Sequence, residues 1–405
     1  MPSRTMTTYM AAAVLVRAMD AGATVGVVLL CSASQMSSPL RTAGLLGAAL
    51  TAPHVLGFVT APLLDHSRDP RRVIGAAAAT FASMLAAATT ALATAPLGVV
   101  FLLCLIAGGS GPLLTGGLSS LVDGRRADKQ ARRSRALDAL TYGLAGAAAP
   151  AFIAVLATLV SPRGALLALC GLGLLGAGLV MHLPSTRQVK GRSERTRHAS
   201  WGAENHHDPT SPALSGLRSG LSAIWRDRRL RQVAILTWLG AFVVAAALLA
   251  GMSLGERNAT GHGGWIAAAF GSGGLVGGLL LAVHPVRADP ARGMMMWVGG
   301  LVPVLTAGAL LGTSLPPLLA TFTTLGLVVA PQTMLSLAAR GEYAPAGTQG
   351  TVFVTVAGTK VAFASAGTAA AGLTAGLPPT QVLAALGALT LGAVTVAGLA
   401  GGRSR

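Results

Sequence analysis

Three ionisable side chains stand inside long apolar stretches of this chain: Arg17, Asp20 and Lys360. A charge at the centre of a membrane-spanning helix costs roughly 2.5–3.5 kcal/mol on insertion scales, which makes such residues functional candidates by default. Asp20 is the only carboxylate well inside an apolar stretch. Burial raises a carboxylate's pKa and a neighbouring cation lowers it again, so such a group can load and release a proton as its surroundings change. Arg17 lies three residues earlier, on the same face of a helix. The spacing predicts an Arg17–Asp20 pair, either a proton-coupling device or a structural pair that neutralises itself. Lys360 has no carboxylate in its own stretch. It is expected to bind an anionic substrate group or take part in gating, unless it snorkels to an interface.

Secondary candidates are His54, Asp138, Tyr142, Trp238 and Gln332. His54 titrates near neutral pH and could relay a proton, although a lone histidine in a helix is more often hydrogen-bonded packing. Asp138 follows the basic run Arg132, Arg133 and Arg135, where an interfacial counter-ion is the plain reading. The stretch Gly108-Gly109-Ser110-Gly111-Pro112 with Gly116-Gly117 has no following Lys-Ser/Thr pair. It is therefore not a phosphate loop, and reads as a close-packed, kinked helix. His206-His207-Asp208 lacks metal-ligand spacing, and Cys31, Cys104 and Cys170 read as small buried apolar residues. No metal or cofactor is expected.

The elements that position these residues are membrane helices. Apolar residues make up 52% and charged residues only 11% of 405 positions, too few charges to keep a soluble chain of this size dissolved. Runs free of Asp, Glu, Lys and Arg cover 42–64, 73–122, 139–162, 164–186, 232–255, 258–286, 293–339 and 361–402. A span needs about 20 residues. The three longest runs each carry a turn signal near the middle, at Pro96, Pro316-Pro317 and Pro378-Pro379, and so divide into two helices each. With a first segment over about 8–31 and an eleventh starting near Thr348, the expectation is an all-α integral membrane protein of twelve transmembrane helices.

Six helices fall in 1–186 and six in 231–405, around a polar linker over 187–230. The linker's end, from Pro212 to Arg231, spaces Leu214, Leu217, Leu221, Ile224 and Trp225 as an amphipathic surface helix. With both termini in the cytoplasm, only Arg41, Arg163 and Arg257 among the 30 basic residues fall in outer loops. The positive-inside rule therefore puts both termini in the cytoplasm. The net charge of +17 is topological and does not point to nucleic acid.

The halves repeat. Asp69-Pro70-Arg71-Arg72 follows span two and Asp289-Pro290-Ala291-Arg292 follows span eight, each ahead of a long uncharged double span. Paired six-helix halves around a central site are an alternating-access pattern. On this layout, with its long central linker and short basic loop after span two, the chain resembles the major facilitator superfamily. That family's signature loop is represented by Ala61, Asp65, His66, Ser67, Arg68, Asp69, Pro70, Arg71 and Arg72, with the Asp and final Arg pair kept and the glycines lost. The resemblance implies that Asp65, Arg68, Arg71 and Arg72 latch the cytoplasmic ends of neighbouring helices. The alternative is charge that only sets topology.

The expected function is secondary active transport of a small organic solute across the cytoplasmic membrane, proton-coupled and in the direction of efflux. The alternatives are a facilitator or importer of a polar or anionic metabolite, and a non-transporting receptor or assembly factor on a carrier fold. The superfamily's drug exporters usually carry an Arg in span four before a Gln-Gly pair, and Leu105-Ile106-Ala107-Gly108-Gly109 has none. No catalytic pair and no Walker motif is present, so neither an enzyme nor an ATP-driven pump is expected. The partners are the bilayer, a small-molecule substrate and protons, and the chain is expected to act as a monomer.

Overall fold

The computed structural model describes residues 3–57, 67, 69–119, 121, 129–184, 221–259, 262–284, 289–312, 314–344 and 349–402. Twelve long helices, besides a short helical segment at 221–226, order these residues. They are α1 (Ser3–Ser32), α2 (Pro39–Thr51, tightened into a 3₁₀ turn over Ala52–Leu56), α3 (Pro70–Ala91) and α4 (Leu97–Pro112, continued by a π turn over Leu113–Gly117). Then come α5 (Lys129–Leu159), α6 (Pro162–Met181), α7 (Arg228–Asn258) and α8 (His262–Val283). The last four are α9 (Pro290–Leu311, interrupted at Gly300), α10 (Leu315–Tyr343), α11 (Gln349–Leu373) and α12 (Pro379–Gly402).

Ten of these are long and apolar enough to cross a membrane. The other two are α2, whose regular part is short, and α11, which carries Lys360 and several Thr and Ser residues. The expected turn signals act as read: Pro96 caps α4, while Pro316-Pro317 and Pro379 open α10 and α12. Proline suits the first turn because its missing N–H is not needed there.

The outer surface is hydrocarbon. Leu102 on α4, Leu174 and Leu175 on α6, Leu279 on α8, Leu310 on α9 and Val396 on α12 are all exposed. A band of this extent on a soluble protein would drive aggregation; here it faces lipid. Inside, glycine does the packing. A Cβ on Gly26 would enter Leu166, and α8 and α10 meet where Gly273 faces the Thr323 carbonyl and Gly326 the Phe270 carbonyl. Small residues let helix backbones approach closely where lipid removes the usual hydrophobic driving force.

The two six-helix halves meet along two seams. In one, α2 packs on α11: a Cβ on Gly44 would lie 2.6 Å from Gly372 Cα, and Ser365 Oγ donates to Thr51 Oγ1 at 2.6 Å. In the other, α5 packs on α8, with Gly264 against Ala154. Gly44, Gly372, Ala154 and Gly264 lie near the ends of their helices remote from the N-terminus of α1.

Most of the expected amphipathic linker helix lies outside the described residues, as do His206, His207 and Asp208. Residues 221–226 are helical, with Ile224 buried beside Leu230, Trp238, Val352 and Val356. This described end therefore docks on the C-terminal half, while Trp225 remains exposed.

Candidate functional site

The expected Arg17–Asp20 pair does not form. Side chains on a helix lean towards its N-terminus. The long Arg17 chain therefore runs away from Asp20, towards the beginning of α5 and the end of α4. Its Nη1 donates to Asp138 Oδ1 at 2.8 Å, to the Asp138 carbonyl at 3.2 Å and to Thr141 Oγ1. Its Nη2 donates to Ser119 Oγ at 2.9 Å and the Thr115 carbonyl at 3.3 Å. The guanidinium lies over the Tyr142 ring, 3.6 Å from the centroid. Tyr9 and Ser119 donate to the two Asp138 oxygens. The carboxylate is thus fully engaged and Arg17 is only 2% exposed. Three helices are tied by one ion pair.

Asp20 meets a different partner. Its Oδ1 lies 3.3 Å from His54 Nε2, and the side chains are 19% and 8% exposed. Tightening of α2 into the 3₁₀ turn over Ala52–Leu56 carries the imidazole into this position. Gly111 on α4 makes the room, since a Cβ there would collide with the His54 ring. Of the glycine-rich stretch, Gly108 and Gly111 pack closely while Gly109 and Gly116 face open space, and the kink is a π turn beyond Pro112. Behind His54, a Cβ on Gly358 of α11 would lie 3.8 Å from the His54 and Val55 backbone. The Asp20–His54 pair therefore sits where the C-terminal half touches the N-terminal half. His54 Nδ1 is buried without a hydrogen bond among the described residues.

In the C-terminal half, Trp238 Nε1 donates to Thr359 Oγ1 at 2.8 Å and the indole stacks on Phe363, centroids 5.5 Å apart. Gln332 is buried and donates to the Trp297 carbonyl at 3.0 Å, holding α10 to α9. Lys360 is half-buried, one residue from Thr359 and three from Phe363. Arg340, outside the runs read as spans, is 5% exposed and donates to Ser336 Oγ at 2.9 Å. Ser336 in turn bonds Thr237 at 2.9 Å.

Of the residues expected to form a latch, Asp65 and Arg68 lie outside the described residues. Arg71 grips Asp69 through two nitrogens, at 2.8 and 2.9 Å, and donates to the Leu183 carbonyl just past α6. Arg72 is exposed and 3.7 Å from Asp69. The repeat loop is built alike: Asp69 caps α3 and Asp289 caps α9, each with proline in the first turn. Asp289 also accepts from Tyr343 Oη at 2.7 Å and lies 3.6 Å from Arg229.

Two six-helix halves, a lipid-facing exterior and buried charges at the junction define a polytopic transport-type membrane protein. The sequence matches the Major Facilitator Superfamily over residues 10–363. The chain belongs to this family. Among curated proteins no sequence matches. Solved structures share the fold at 12% identity. The nucleoside transporter NupG aligns with a TM-score of 0.70 over 97% of this chain and 98% of its own. A POT family transporter in complex with a thioalcohol-conjugated peptide aligns at 0.70 over 97% and 95%. A bacterial homologue of the human lysosomal transporter Spinster, inward-facing and unoccupied, aligns at 0.69 over 99% and 98%. These relatives are transporters, and the chain is a transporter of the same superfamily rather than an enzyme.

Proposed function

We propose that this protein is a secondary active transporter of a small organic solute in the cytoplasmic membrane, with both termini in the cytoplasm and Asp20 as the proton-coupling carboxylate. The observation that carries this reading is the Asp20–His54 contact at 3.3 Å, which joins α1 to α2 beside α11. A carboxylate and an imidazole at this distance can share one proton between two states. Arg17, the other cation on the same helix, is occupied by Asp138 and leaves Asp20 to its histidine. The seams at Gly44–Gly372 and Ala154–Gly264 support a state closed at the end remote from the termini. Motion about these seams would expose the pair to the other side. Efflux remains the favoured direction, and a monomer the working unit.

The test uses proteoliposomes and a pool of labelled small metabolites, with and without a pH gradient. The parent protein accumulates its substrate only with the gradient. Asp20→Asn keeps the shape of the side chain and removes its titration, so it should lose gradient-driven accumulation and retain exchange at equal pH. Undiminished accumulation by Asp20→Asn would remove the coupling role.

A further inference from the structure

One face of α7 is basic where the helix begins and apolar further in. Arg228, Arg231, Ile235, Trp238 and Phe242 follow at i, i+3, i+7, i+10 and i+14, a single stripe of the helix. Along this stripe α7 meets α11: the Trp238 ring stacks on Phe363, and a Cβ on Gly367 would enter the Phe242 backbone. Ile235 and Phe363 are both exposed. A lipid-facing groove between α7 and α11 therefore runs from these side chains towards the two arginines.

The helical segment 221–226 lies over the end of this groove. Its Ile224 is buried among Leu230 and Trp238 of α7 and Val352 and Val356 of α11, whereas Trp225 is 52% exposed. Arg231 fastens the segment: its Nη1 donates to the Trp225 carbonyl at 2.7 Å, and its guanidinium lies 5.9 Å from the centre of the Trp225 ring. An exposed indole at the end of a span suits headgroup depth, where one side of the ring is apolar and the other wet.

The nearby carboxylates are occupied. Asp227 caps α7 by accepting from the Leu230 N–H at 2.7 Å, and Asp289 lies 3.6 Å from Arg229. Arg226 and Arg228 are exposed and Arg231 is half-buried. Among the described residues none of these three forms an ion pair with a carboxylate. Arginines at the membrane surface attract anionic lipid, and a guanidinium matches the paired oxygens of a phosphate. Charge that only sets topology needs neither a fixed guanidinium nor an apolar groove continuing the same face. Both are present here.

We propose that this face binds an anionic phospholipid, its headgroup phosphate between Arg228 and Arg231 beside Trp225 and an acyl chain along Ile235 and Phe363. The inference rests on the membrane-spanning fold and is independent of the coupling role given to Asp20.

The test is native mass spectrometry of the full chain released from micelles holding equal amounts of phosphatidylglycerol and phosphatidylcholine with matched chains. Thermal unfolding in detergent, with either lipid or inorganic phosphate added, accompanies it. The parent protein should retain phosphatidylglycerol in about tenfold excess and be stabilised by it. Arg228→Gln, at an exposed position, should lower that retention about fivefold, the effect of one arginine near an anionic headgroup, and Arg231→Gln should do likewise. Arg292→Gln, exposed at the start of α9, should leave it unchanged. Equal retention of the two lipids would overturn the site, as would retention unaltered in both Arg228→Gln and Arg231→Gln. An equal loss in Arg292→Gln would overturn it too, by showing diffuse attraction to the whole basic surface. Stabilisation by inorganic phosphate that matches phosphatidylglycerol would remove the lipid as the occupant. Asp20→Asn should retain phosphatidylglycerol as the parent does, so failure of the coupling role and failure of the lipid site are read separately.

Discussion

Arg17 on α1 and Asp138 on α5, 121 residues apart in sequence, meet at 2.8 Å in a site where the arginine is 2% exposed. Removing one partner of a buried ion pair leaves an uncompensated charge and costs about 3–5 kcal/mol, while removing both costs less. Arg17→Gln and Asp138→Asn should each lower the thermal midpoint in detergent, and the double variant should recover part of the loss. Arg17→Gln combined with Asp20→Asn should instead be additive, because these two residues have separate partners. Additivity for the first pair and coupling for the second would restore the pairing that the i, i+3 spacing suggested.

The glycine at position 111 supplies a sharper test of the Asp20–His54 contact. Gly111→Ala places a methyl group in the space of the imidazole, whereas the neighbouring Gly109 has nothing within 4 Å of its would-be Cβ. Gly111→Ala should displace His54 and lower gradient-driven transport to the level of Asp20→Asn. Gly109→Ala should be silent. Equal transport by both variants would show that the histidine's position does not matter.

The helices were legible because lipid imposes a simple rule: every span must be long and uncharged, and proline pairs must mark the turns. The same rule hid the partners. Asp138 and Arg340 lie just outside the uncharged runs 139–162 and 293–339, yet α5 begins at Lys129 and α10 ends at Tyr343. Asp138 and Arg340 face into the bundle although they lie beyond the uncharged runs. Helix spacing also said that Arg17 and Asp20 share a face, but not that an arginine's reach points it a turn towards the N-terminus. Tyr9, Ser119 and Thr141, which complete the Asp138 site, carry no signal beyond their hydroxyls; only packing of three helices assembles them.

At the surface, Asp69 gives a pH dependence whose sign can be worked out. The paired hydrogen bonds from Arg71 hold its carboxyl below the usual range, against a smaller opposing effect of burial. A depressed folded value means stabilisation that is complete above the unfolded value of about 3.9 and is lost as pH falls through the lower folded value. Asp69→Asn should therefore unfold at a lower temperature than the parent at pH 7. The gap should close steadily below about pH 4. A gap that persists to pH 2 would mean that the helix cap, and not the charge, supplies the difference.

The seam between the halves yields the last prediction. Ser365 Oγ and Thr51 Oγ1 lie 2.6 Å apart, joining α11 to α2 at a contact that the proposed alternating access would break. Cysteines at both positions would sit near enough to bridge with a small rearrangement, and the three native cysteines are buried. Thr51→Cys with Ser365→Cys should cross-link under mild oxidation and stop transport, and reduction should restore it. Each single variant should transport normally throughout, which separates trapping from damage to the seam. Full transport with the bridge demonstrably formed would show that this seam stays closed through the cycle, and the moving contact would then have to be sought between α5 and α8, at Ala154 and Gly264.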